Sequence, residues 1–183
     1  MNPTEQNQTI IQSPKELVAA LSEGERTEFA NIIESINLSS TVFERYMSWR
    51  SKCYTRNCIA ENEEFELILL CWEKGQKTPI HDHGGEECWV KVIQGGFKET
   101  IYQVDKDGEL KSVKSIISKT GDTSYMIDFM GCHRLENISA GRTISLHLYA
   151  KPIRNCHLFD ENTRTFVRKE MSYDTCMEIE EKI

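Results

Sequence analysis

From residue 65 onward the sequence returns again and again to short apolar runs broken by turn residues, and that rhythm restricts the chain to a β-rich fold. FELILLCW (65–72) reads as a buried strand. ECWVKVIQ (87–94), Gly95-Gly96 and FKETIYQV (97–104) read as two strands joined by a tight turn. Asp107-Gly108 marks another turn and is followed by another strand, TISLHLYA (143–150) alternates strictly, and TRTFVRK (163–169) gives a last strand. Many short strands at regular spacing argue for an antiparallel sandwich or barrel.

The first quarter has a different period. Ser13-Pro14 is a helix start, with Leu17, Ala20 and Leu21 on its apolar face. Phe29, Ile32, Ile33 and Ile36 fall at helical spacing within 23–36, and Ser39-Ser40 caps a short third helix carrying Val42, Phe43 and Tyr46. At 183 residues the chain has room for one domain with a real core, read as a helical cap (about 1–48), a β-barrel (about 49–170) and a tail (171–183).

Net charge is −7 without a basic stripe, which argues against nucleic acid and anionic membranes as partners. The start, MNPTEQNQTIIQSPKEL, has no basic n-region or apolar h-region, and no apolar run approaches the roughly 18–20 residues of a membrane helix. A cytoplasmic location is therefore expected, and the absence of an apolar surface stripe leans towards a monomer. Seven cysteines, an odd number without a CxxC pair, argue against a disulfide framework or a structural zinc site.

Only five histidines are present: His81, His83, His133, His147 and His157. Positions i and i+2 of a strand share a face, so His81 and His83 can reach one metal; an HxH pair alone is equally a turn without a ligand. The pattern Gly75-x5-His81-x-His83-x4-Cys88-x6-Gly95 resembles the first motif of the cupin superfamily, with Cys88 where a ligating Glu is usual. His133-x3-Asn137 resembles the end of the second motif. Three imidazoles without a carboxylate suit a d-block metal and leave open positions, while Glu86 and Glu87 stand as alternative carboxylate ligands. In SLHLY (145–149), Ser145, His147 and Tyr149 share one face. They are either the polar outer face of an ordinary strand or a hydroxyl–imidazole–phenol relay lining a cavity.

An ordered set of motifs over about 40–165 identifies the chain as resembling the cysteine dioxygenase family: YTRN (54–57), LCW (70–72), IHDH (80–83), Cys88, KETIY (98–102), HRLENIS (133–139), SLHLY and CHLFD (156–160). The resemblance implies a mainly β, cupin-type antiparallel jelly-roll barrel with a small N-terminal helical cap. It also implies an Fe(II) centre on His81, His83 and His133, and oxidation of free L-cysteine by O2 to cysteine sulfinic acid, a step of cysteine catabolism. It makes Arg56, with Tyr54 beside it, the partner of the substrate carboxylate, and Cys88 and Tyr149 a thioether crosslink. Ser145 and His147 become the relay behind the tyrosine, and Trp72 and His157 part of the pocket wall. Taken alone, Arg56 could equally be a surface charge and Cys88 a buried structural thiol.

Two features depart from the family. Mammalian members follow the tyrosine with Ser-Pro-Pro and a cis bond, where this chain has Ala150-Lys151-Pro152, so the bond is either trans or a strained non-proline cis. The residues after Gly84 also differ from the vertebrate run. The nearest alternative activity is a 3-mercaptopropionate dioxygenase, but those relatives commonly carry Gln at the position of Arg56 and lack the crosslink cysteine. A cupin that binds metal without turnover is the third reading.

Overall fold

The computed structural model describes residues 10–176. Helix α1 (Pro14–Glu23) starts where expected: the Ser13 side chain accepts the Glu16 N–H, and Leu17 and Leu21 are buried. A 3-10 turn (Arg26–Glu28) leads into α2 (Phe29–Ser35). The third helix is realised as a 3-10 segment, Ser40–Tyr46, capped by Ser39 and burying Phe43 and Tyr46. No described helix is long and apolar enough to cross a membrane.

Twelve strands follow: β1 (Thr55–Glu61), β2 (Glu66–Trp72), β3 (Ile80–His81), β4 (Cys88–Gln94), β5 (Gly96–Val104), β6 (Leu110–Lys119), β7 (Thr123–Met126), β8 (Cys132–Asn137), β9 (Thr143–Tyr149), β10 (Asn155–Asp160), β11 (Thr165–Glu170) and β12 (Thr175–Cys176). They form two six-stranded sheets, ordered β12-β1-β2-β9-β4-β7 and β11-β10-β3-β8-β5-β6. The jelly-roll reading thus takes the form of two facing sheets that hydrogen bonds do not close into a barrel, and one pairing, β1 with β12, is parallel.

The first sheet is covered on both sides, which explains why every residue of β2 and β9 is buried. On one face Leu67, Leu69, Ile144, Leu146 and Leu148 pack with Leu17, Leu21, Phe29, Ile33 and Phe43 of the helical cap. On the other, Ile68, Leu70, Trp72, Val90, Val92 and Tyr149 meet Phe97, Leu135 and Cys156 from the second sheet. The alternation in TISLHLYA therefore separates two interiors rather than an interior from water.

Candidate metal centre

The second sheet brings the three histidines together. His81, the last residue of β3, stands directly opposite His133 of β8, and directly opposed strand residues bring their side chains into contact. His83 follows just beyond the strand end. The ligand atoms of all three lie within 4.8 Å of one another, and the ring centroids are 4.6–5.6 Å apart.

Glycines shape the approach on both sides. Gly84 sits at φ +62, where a Cβ would lie 2.5 Å from the Asn155 carbonyl oxygen. Gly131, at φ +115 just before β8, would place a Cβ 2.1 Å from the Tyr102 carbonyl oxygen. Only glycine fits these conformations at such close approach. Asp128 pins the turn between them, accepting the backbone N–H of His83 at 2.7 Å and of Gly85 at 2.6 Å.

The rings are poised as neutral ligands. The Nδ1 of His81 lies 3.0 Å from the Pro79 carbonyl oxygen, and the Nδ1 of His133 lies 2.6 Å from Glu99 Oε1. A carboxylate behind an imidazole fixes its tautomer and leaves the other nitrogen for a metal. His133 Nε2 and His83 Nδ1 are buried and have no protein partner, the condition expected of atoms meant for an ion. Burial, with His133 close by, lowers the His81 pKa to about 3, and burial lowers His83 well below the ordinary histidine value. Glu87 is drawn away by Arg26 at 2.8 Å and Tyr125 at 2.7 Å, and Glu86 lies 3.9 Å from Arg26. Among the described residues the metal-ligating cluster is His81, His83 and His133, which fits a metal site.

The inner face of the first sheet supplies the rest. Arg56 of β1 is 8% exposed, yet its Nε and Nη2 have no hydrogen-bond partner; Glu66 stands 3.7 Å from Nη2. Its charge is felt by His81, His83, His147 and Tyr149, placing the guanidinium beside the histidine cluster. Tyr54 stacks on Trp72, centroids 4.4 Å apart, and Trp72 Nε1 donates to Ser145 Oγ at 3.0 Å. Ser145 Oγ is 2.9 Å from His147 Nε2, and the His147 and Tyr149 rings lie parallel, 6.3 Å apart.

Cys88 of β4 and Tyr149 of β9 stand directly opposite across the antiparallel pair. Burial pushes both the Cys88 thiol and the Tyr149 phenol upward, so both hold their protons. The Ala150–Lys151 bond is trans, since no cis bond occurs among the described residues, and Lys151 takes φ +98. Of the two readings left by the Ala-Lys-Pro sequence, the trans form is present, with the strain transferred to the Lys151 backbone. His157 is half-exposed, its Nδ1 bonded to Asp82 at 2.8 Å.

Sequence reasoning did not single out Glu99, Glu66 or Asp128. Glu99 lies within the KETIY motif, but its contact with His133 spans 34 residues and depends on the β5–β8 pairing.

Residues 4–162 match the family described as cysteine dioxygenase type I. Human cysteine dioxygenase type 1 is 35% identical over 140 residues, covering 74% of this chain and 70% of its own length. The zebrafish (Danio rerio) protein is 33% identical over 141 residues, with the same coverage. Among solved structures, a double-stranded β-helix protein from Klebsiella pneumoniae is similar at TM-score 0.47 and 17% identity, over 70% of this chain and 94% of its own.

Proposed function

This chain belongs to the cysteine dioxygenase type I family, and from that premise we propose that it adds both atoms of O2 to the thiol of free L-cysteine, giving cysteine sulfinic acid, at an Fe(II) held by His81, His83 and His133. One observation carries the reading: buried polar atoms without a hydrogen-bond partner among the described residues occur on histidines beside the second sheet and on the Arg56 guanidinium of the first, whose charge reaches those histidines. The first set suits a cation and the second a carboxylate, and a small thiol amino acid satisfies both at once.

His81, His83 and His133 would hold the Fe(II), which would supply the redox chemistry that joins thiol sulfur and O2. The remaining work belongs to the side chains. Arg56 grips the substrate carboxylate with a planar fork, which Lys could not match, and Tyr54, fixed by its stack on Trp72, shares that contact. Holding both ends of a short substrate fixes its sulfur in one orientation. Tyr149 keeps its proton and offers an O–H donor to oxygen near the histidines; its ring lies 5.7 Å from that of His83. Ser145 and His147 hold each other behind it. The facing positions of Cys88 and Tyr149 favour the thioether crosslink, in which the thiol S–H and a ring C–H are lost, a C–S bond forms, and O2 accepts two electrons and two protons. The whole chain acts as one cupin unit, a cytoplasmic monomer without nucleic acid or membrane partners; its net charge of −7 supports the last point.

Oxygen uptake tests the substrate. L-cysteine is expected to be consumed far faster than 3-mercaptopropionate or cysteamine by protein that retains iron on metal analysis. His133→Ala is expected to lose both iron and uptake. A preference for 3-mercaptopropionate would overturn the substrate assignment, and full turnover in His133→Ala would overturn the ligand set.

A further inference from the structure

We propose that Cys58 and Cys176 form a redox-closable pair, a disulfide site that staples the C-terminal strand to β1 beside Arg56. In the parallel β1–β12 pairing, Asn57 stands opposite Thr175 and Cys58 opposite Cys176. Opposed residues of neighbouring strands point to the same face at a Cα separation of about 5 Å, inside the roughly 4.4–6.8 Å range that a disulfide spans. Cys176 is near enough to Cys58 to help raise its thiol pKa. No other pair of cysteines is opposed in the registers of the described strands. Both members are reduced in the structure.

The exposure of the pair suits an ordered exchange. Cys176 is exposed, whereas Cys58 is 1% exposed and burial pushes its thiol upward. Cys176, as thiolate, attacks one sulfur of a low-molecular-weight disulfide such as glutathione disulfide and releases one thiol. Cys58 then gives up its proton and attacks the Cys176 sulfur, releasing the second thiol. The protein loses two electrons and two protons, and the small disulfide gains both.

The staple would act on the segment that braces Arg56. Asp174 accepts the Arg56 N–H at 2.8 Å and returns its own N–H to the Arg56 carbonyl at 2.7 Å. Its other oxygen lies 2.7 Å from Arg50, while the Tyr173 hydroxyl lies between the Glu66 and Glu61 carboxylates within hydrogen-bond reach of both, and Thr175 Oγ1 donates to Asn57 at 2.9 Å. Within the described residues β12 contributes Thr175 and Cys176 to this bracing. A covalent bond at Cys176 would fix this segment to β1 and close a loop running from residue 58 to residue 176, the kind of long loop whose closure most restricts the unfolded chain.

The full chain, first reduced with dithiothreitol and then equilibrated with glutathione disulfide, tests the pair by non-reducing peptide mapping. The expected product is a Cys58–Cys176 linked peptide, reversed by dithiothreitol, with a Tm higher by about 5 °C or more than that of the reduced chain. Cys176→Ser should show neither change, and Cys58→Ser should retain a glutathione adduct on Cys176. A wild-type chain in which Cys176 stops at that adduct, pairs with Cys53, or does not react would overturn the proposal. The readout is a bond rather than turnover, so it is independent of the oxygen-uptake assay.

Discussion

The two faces of the first sheet are equally buried and chemically opposite. On the helix side, polar groups are few and satisfied: Lys91 donates to the Glu34 carbonyl at 3.0 Å, and Asn57 donates to Thr55 and to the Leu69 carbonyl, both at 3.0 Å. On the inner side, facing the histidines, polar groups are many and incompletely satisfied. Of five buried side-chain atoms without a partner among the described residues, four belong to Arg56, His83 and His133. An unpaired buried polar atom costs about 1–3 kcal/mol, and more if charged, so a stability-driven interior would not keep such a concentration. Burial alone therefore does not separate core from site here; hydrogen-bond satisfaction does.

That contrast can be attacked from either face. The largest effect is expected from Arg56→Gln, which should lower kcat/KM for L-cysteine about 100-fold or more, with a lesser fall in Tm because buried Glu66, 3.7 Å away, is left without its cation. A lowered Tm with kcat/KM retained would show that Arg56 is structural only. From the other face, Leu146→Ala removes a fully buried side chain and should cost about 2–5 kcal/mol, read as a lower denaturation midpoint, with KM and iron stoichiometry unaltered in the folded protein. Loss of iron in that variant would mean that the faces are not separable.

Smaller effects sharpen the same division. Glu99→Gln should weaken metal binding about 10–100-fold in a chelator competition, because His133 loses the carboxylate behind it. The smallest effect concerns acid. Burial, reinforced by the Arg56 charge, holds His147 well below its ordinary pKa, so it is neutral in the folded chain and protonated on unfolding in acid. Its contribution is present above about pH 6.5 and declines as pH falls below that value, by up to about 1.4 kcal/mol per pH unit. Denaturation midpoints measured across that range should therefore fall less steeply for His147→Gln than for the parent.

The sequence disclosed the parts of the site that depend on spacing along one strand. His81 and His83, and the Ser145–His147–Tyr149 face, are i, i+2 relations, and a period of two survives folding unchanged. It did not disclose relations set by register between strands. Glu99 meets His133 only through the β5–β8 pairing, and the Cys88–Tyr149 pair, which depends on β4–β9, came only from the family resemblance. β1 escaped strand reading because TRNCIAE is polar at positions whose partners lie elsewhere in the chain, including Asp174 for the Arg56 backbone. Strand count and spacing left sandwich and barrel open, because count does not specify whether edge strands meet; among the described residues they do not.

β9 lies between β2 and β4, hydrogen-bonded along both edges and covered on both faces. Such a strand belongs to the last cooperative unit to open, with amide exchange governed by global rather than local unfolding. Ser145, His147 and Tyr149 are thus carried on one of the stiffest elements of the molecule. Any substrate that requires the phenol to move must work against the stability of the whole fold, so selectivity at this site is that of a rigid mould rather than a closing hand.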